Sequence, residues 1–145
     1  MYFIVQFLLG CEASRANYSV HSVSILQRNL GDVKRILIVD DSALIRRTLR
    51  SLLEGQDDWA ICGEVENGSD AVVKARNLHP DLVVMDLVMP IMNGIDATRT
   101  LKAVMPHVPI MMYTTFADPH IRNLALEAGV HDLIDKSEKR SSIGP

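Results

Sequence analysis

Cysteine is scarce: Cys11 and Cys62 are the 2 in the chain, too few and too widely separated for a zinc site and a thin basis for a disulfide framework. Such usage fits a reducing, cytoplasmic compartment. Cys62 closes the apolar run Trp59-Ala60-Ile61-Cys62, where a buried structural thiol is the expected reading. An excess of basic charge is also lacking. Fifteen Lys and Arg stand against 18 Asp and Glu, a net charge of -3, so no broad positive field exists to hold nucleic acid or an anionic membrane. The apolar residues 2–9 fall far short of the roughly 20 needed to span a bilayer. His21, His79, His107, His120 and His131 show no metal-ligand spacing, which leaves zinc disfavoured.

The 145 residues are 48% hydrophobic, enough for one domain around one sizeable core. Residues 1–34 read as a poorly ordered extension, since residues 11–32 are rich in Ser and Asn with weak periodicity. From Arg35 onward, short apolar runs alternate with amphipathic stretches, the pattern of βαβ units feeding a parallel sheet covered on both faces. The predicted strands are 36–39, 59–65, 82–85, 110–113 and 133–134. The first predicted helix sets Leu44, Ile45, Leu49, Leu52 and Leu53 on one face, opposed by Arg46, Arg47 and Arg50, and stops at Gly55. Further helices are predicted at 69–78, 94–104 and 119–128, the last ending at Gly129, a natural helix stop. The fold class is thus α/β, a doubly wound parallel sheet of five strands with four helices. Residues 137–145 are too polar and too short for a fifth amphipathic helix, so that helix is expected to be missing or truncated and one sheet face undercovered.

The two most hydrophobic strands both end in acid. Ile36-Leu37-Ile38-Val39 runs into Asp40 and Asp41, and Leu82-Val83-Val84-Met85 runs into Asp86. In an open α/β sheet, ligands bind in the crevice at the carboxyl ends of the strands. Like charges about 4 Å apart there repel by roughly 4 kcal/mol at an effective dielectric near 20, so clustered carboxylates call for a cation. Oxygen-only ligands select a hard ion, and few ligands with open water positions suit Mg²⁺. The competing reading of Asp40 and Asp41 is plain helix capping, a task Ser42 could share. Thr114 and Lys136 close or follow two further apolar strands, which puts a hydroxyl and an ammonium at the same rim. One Mg²⁺ and one lysine balance three carboxylates, and together with a hydroxyl could offset the charge of an acyl phosphate.

Four segments, Ile-Leu-Ile-Val-Asp-Asp-Ser, Leu-Val-Val-Met-Asp-Leu-Val-Met-Pro-Ile-Met-Asn-Gly, Tyr-Thr-Thr and Ala-Gly-Val-His-Asp-Leu-Ile-Asp-Lys, resemble two-component receiver domains. The likeness covers residues 35–136. It implies a flavodoxin-like sheet of order 2-1-3-4-5 and puts Asp86 at the phosphoacceptor position. It also puts Asp41 at the direct Mg²⁺ ligand, Asp40 at its partner, and Val88 where a backbone carbonyl completes the metal site. Thr114 and Lys136 match the residues that read the phosphoryl oxygens. The implied donor is a phosphohistidine on a sensor histidine kinase or phosphotransfer protein, with small acyl phosphates as substitutes. Such a domain is no enzyme toward other substrates; it catalyses its own phosphorylation and dephosphorylation. Its output is a population shift that draws Thr114 toward the phosphate, read by a downstream protein, a lost output domain or a weak phosphorylation-dependent dimer.

Three departures stand out. Leu133 occupies a position usually aromatic in that family, and it offers no ring to couple to a movement of the threonine. Ser137 replaces the proline common after the lysine, so a trans bond is expected there with Lys136 less well fixed. The fifth helix and any output domain are absent from residues 137–145. A phosphorylation-independent interaction module is therefore a second reading, while an aspartate-nucleophile phosphohydrolase is disfavoured because Asp40-Asp41-Ser42 lacks a second aspartate two residues on.

Overall fold

The structure, a computed structural model, describes residues 33–137. The extension expected over 1–34 lies outside the described residues except for its last two, and the 137–145 tail lies outside them beyond Ser137. Lys34 already belongs to the first strand. Five strands, β1 (Lys34–Val39), β2 (Trp59–Val65), β3 (Leu82–Met85), β4 (Ile110–Thr114) and β5 (Asp132–Asp135), alternate with four helices, α1 (Ala43–Leu53), α2 (Gly68–Leu78), α3 (Gly94–Val104) and α4 (Pro119–Ala128). All neighbouring strands pair in parallel, in the order β2-β1-β3-β4-β5.

That order explains the two layers. The chain leaves β1 toward one edge and then steps back across the sheet through β3, β4 and β5. Right-handed crossovers in opposite directions put α1 on one face and α2, α3 and α4 on the other. One core cluster accordingly joins Leu37, Val39, Val83, Met85, Met112 and Leu133 with small residues of the three helices, Ala71, Ala75, Ala125 and Ala128 among them. Leu49 and Leu53 of α1 are buried, but Leu44 is 70% exposed. The sequence put Leu44 on the buried face; a residue five positions before Leu49 is turned some 140° from it on a helix of 3.6 residues per turn. At the sheet centre Leu82, Val84 and Met111 are 1%, 1% and 0% exposed.

Each helix begins on a side-chain cap. Ser42 accepts from the Ile45 amide, Asn67 from Asp70, Asn93 from Asp96, and Asp118 from His120 and Ile121 with Pro119 opening the helix, which satisfies amides that no helical carbonyl can reach. The endings are less regular. Gly129 closes α4 in the left-handed region at φ 107°, as its sequence position predicts. Gly55 does not close α1 that way; the cap is Glu54 in right-handed geometry. His79 takes the left-handed cap of α2 instead, at φ 48°.

Ile91 is the second non-glycine residue with positive φ, at 71°. The Met92 amide donates to the Pro90 carbonyl at 2.8 Å, so Ile91 sits at the centre of a three-residue γ-turn with its side chain 85% exposed. A β-branched residue is strained there, by about 1–3 kcal/mol, and its exposed side chain recovers little by packing. Ile91→Gly is expected to raise stability by about 1 kcal/mol after the added chain entropy of glycine. Urea titration measures it; an unchanged or lowered midpoint means that the turn holds no strain.

Candidate functional site

The carboxyl ends of the strands assemble the polar residues. Backbone hydrogen bonds carry the sheet one residue past its strands: Asp40 N–H donates to the Val65 carbonyl at 3.1 Å, Asp86 N–H to Val39 at 2.8 Å, and Lys136 N–H to Thr114 at 2.8 Å. Each acidic or basic side chain therefore starts from a fixed backbone beside the crevice between β1 and β3. Ligand oxygens of Asp40, Asp41 and Asp86 all lie within 4.8 Å of one another. Asp40 and Asp86 are buried at 1% and 9% exposure, whereas Asp41 is exposed.

Lys136 bridges the two buried acids. Its Nζ lies 2.6 Å from Asp40 Oδ2 and 3.2 Å from Asp86 Oδ2. Burial opposes the Lys136 charge, but the hydrogen bond to Asp40 and the charges of Asp86 and Asp40 outweigh it and hold the ammonium above its ordinary pKa. The Asp86 pKa is also raised, which for an acid favours the neutral form. Burial pushes its carboxyl above the usual carboxylate range, Lys136 pulls it back, and Asp40 adds repulsion. The second Asp86 oxygen, Oδ1, accepts from its neighbour Leu87 N–H at 2.7 Å. Asp40 Oδ1 likewise accepts from Ser42 N–H at 2.8 Å, so Asp40 does help to shape the start of α1 while also holding Lys136.

Thr114 is fully buried at the same rim, and its hydroxyl accepts from Phe116 N–H at 3.2 Å. No hydrogen bond joins this hydroxyl to Asp86 or to Lys136, whose amide bonds to the Thr114 carbonyl instead. The Val88 side chain points outward at 53% exposure, on the loop that follows Asp86. The described residues thus bring Asp40, Asp86 and Lys136 into direct contact, with Asp41 adjoining and Thr114 and Val88 at the edge.

Three contributors escape the sequence pattern. Arg46, assigned there to the solvent face of α1, reaches back so that Nη1 donates to the Asp40 carbonyl at 2.7 Å and Nη2 to Glu66 at 3.1 Å. Asp135 Oδ1 accepts from both the amide and the hydroxyl of Ser137, at 2.7 and 2.6 Å, and those bonds hold its carboxyl below the ordinary range. That turn secures the backbone around Lys136 where a proline was missed; Asp followed two residues on by Ser is a readable signal for it. Among the described residues the peptide bonds are all trans. Third, the Tyr113 ring lies beneath Lys136 Nζ, 5.3 Å from its centroid.

The response regulator receiver domain family matches residues 36–144. The chain belongs to that family. It is a receiver domain of the two-component response-regulator type, and the match runs beyond Lys136 into the residues first read as a tail. Protein-glutamate methylesterase/protein-glutamine glutaminase 1 of Methanosarcina acetivorans is 42% identical over 111 residues, 75% of this chain and 32% of that protein. The response regulator VraR of Staphylococcus epidermidis is 38% identical over 109 residues, 75% of this chain and 52% of that one. The chain therefore spans about a third to a half of these curated relatives. Among solved structures, the response regulator domain of Thermotoga maritima CheB superposes with a TM-score of 0.70 at 34% identity, covering 77% of this chain and 84% of that one. The CheX-CheY complex with BeF3 and Mg²⁺ from Borrelia burgdorferi gives 0.68 at 25% identity, over 74% and 81% of the two chains. No helix among the described residues is long and apolar enough to cross a membrane.

Proposed function

We propose that this receiver accepts a phosphoryl group on Asp86 from the phosphohistidine of a sensor histidine kinase or phosphotransfer protein, in a Mg²⁺-dependent reaction in the cytoplasm. The observation that carries this reading is the packing of three carboxylates within 4.8 Å of one another with Lys136 against two of them. The donor set is oxygen only, and the exposed Asp41 carboxylate makes no hydrogen bond or ion pair among the described residues, so the site fits a hard, partly hydrated cation. Asp40, Asp41, Asp86 and the Val88 carbonyl would hold it. Bound there, Mg²⁺ would supply charge neutralisation for the phosphoryl oxygens.

The protein's own residues do the rest. An Asp86 carboxylate oxygen forms the new bond to phosphorus while the bond to the donor nitrogen breaks and the imidazole leaves with the electron pair. A carboxylate is already the reactive species, so no general base is required. Lys136 opposes the added negative charge, and the Thr114 hydroxyl, which at present accepts from Phe116, keeps its own proton to donate to a phosphoryl oxygen. Its movement would carry the signal to the surface formed by β4, α4 and β5, for a downstream protein, an output domain or a second copy to read.

The test is intact-protein mass after incubation with Mg²⁺ and acetyl phosphate. One added phosphoryl group, lost when a chelator removes the metal, is expected; no gain with any phosphoryl donor overturns the reading. A phosphorylation-independent interaction module is the second reading, favoured by Leu133, whose buried side chain at 2% exposure leaves no ring to follow Thr114. It predicts partner binding indifferent to donor and to Asp86→Asn.

A further inference from the structure

We propose that Tyr113 is a positioning residue for Lys136, holding the ammonium through the face of its ring; this rests on the phosphoacceptor reading of the site. Parallel register sets Tyr113 opposite Ile134 and Thr114 opposite Asp135, and the Lys136 amide then bonds to the Thr114 carbonyl. The lysine stem thus starts beside β4 and runs past Tyr113 toward Asp40 and Asp86. Nζ ends 5.3 Å from the ring centroid, within the roughly 6 Å at which the negative ring face attracts a cation. Both groups are partly withdrawn from water: Tyr113 is half-buried and the Lys136 side chain is 11% exposed. Such desolvation strengthens the attraction.

The ring suits the chemistry better than another acid would. An ammonium has three N–H donors. Asp40 and Asp86 engage it at 2.6 and 3.2 Å, which leaves one direction for a phosphoryl oxygen. A third carboxylate would take that donor and add negative charge where negative charge must arrive. The ring restrains the ammonium without doing either. A lysine stem otherwise carries much rotamer freedom, and neither Leu133 nor Ser137 adds a ring or a proline to limit it.

The Tyr113 hydroxyl makes no hydrogen bond among the described residues, so the ring alone is at issue. Phosphorylation rates with acetyl phosphate and Mg²⁺ are to be compared for Tyr113→Leu, Tyr113→Phe, and phenylalanines at 113 carrying one, two or three fluorines. Leu is expected to slow phosphorylation about five- to tenfold, Phe to restore the rate, and successive fluorines to lower it stepwise as the ring face loses negative charge. In a Lys136→Met background the Leu penalty should vanish, because the ring acts through the ammonium. A wild-type rate in Tyr113→Leu, a flat fluorine series, or an undiminished penalty beside Lys136→Met overturns the proposal. The fluorinated rings keep shape and volume, so they decide the matter if the Leu variant does not fold. Failure of the wild-type chain to take up any phosphoryl group would instead refute the phosphoacceptor reading itself.

Discussion

Asp86→Asn should end phosphoryl uptake and, in the same protein, raise thermal stability. The first effect follows from the nucleophile: an amide oxygen cannot form the acyl phosphate, and Asp40 and Asp41, although close by, belong to the other side of the metal site in the proposed scheme. The mass gain from acetyl phosphate should be absent, and a persistent gain would mean that another residue is the acceptor. The second effect follows from burial. Asp86 is held above the ordinary carboxylate range, chiefly by desolvation and further by Asp40, against the pull of Lys136, so folding favours its protonated form. That favourable contribution is fully present below the unfolded-chain value near 3.9 and is lost as pH rises through the higher folded value. Asparagine carries no such charge. In chelator-containing buffer the variant should melt above the wild type at pH 7, and the gap should close as pH falls toward about 4. Added Mg²⁺ should raise the melting temperature of the wild type and move the variant much less. A variant that melts below the wild type at neutral pH, or a gap indifferent to pH, would show that the Lys136 contact outweighs burial.

Much of this arrangement was legible because strand ends and chemistry coincide. The runs at 59–65 and 82–85 and the helices at 94–104 and 119–128 agree with the observed bounds, each being flanked by an Asx cap, glycine or proline that interrupts the pattern sharply. Boundaries set by polar residues were not legible. Thr114, Asp132 and Asp135 complete β4 and β5 although hydrophobicity alone stops short of them, since backbone pairing is indifferent to what the side chain prefers. His79 and Ile91 at positive φ were hidden because neither residue favours that region; tertiary context imposes it. At the site, the convergence of Asp40, Asp86 and Lys136 could be inferred from strand ends. That Lys136 binds Asp40 more closely than Asp86, and that Tyr113 lies beneath it, depends on register between strands far apart in the chain. Spacing along one strand carries no such information.

Gly94→Ala should be the most damaging single methyl group that can be added near the site. Gly94 opens α3 directly under the loop that follows Asp86, where its amide donates to the Leu87 carbonyl at 2.8 Å and its own carbonyl accepts from Thr98 at 2.7 Å. A Cβ there would run into the carbonyl oxygen of Asp86 and lie 3.1 Å from Leu87 Cα. Its φ is not positive, so space rather than conformation demands glycine. The obstacles are backbone atoms that cannot rotate aside, and the loop after Asp86 or the whole helix must move. Overpacking of this kind costs about 1–3 kcal/mol, and here the displaced peptide carries the proposed nucleophile. A shift of roughly 1 Å at a reacting group can cost about 100-fold in rate. The variant should therefore lose stability in urea and, at temperatures where it is still folded, take up phosphoryl groups ten- to a hundredfold more slowly, as about that misplacement implies. Loss of stability with an unchanged rate would mean that α3 yields while Asp86 stays in place, and would separate the acceptor's position from the packing beneath it.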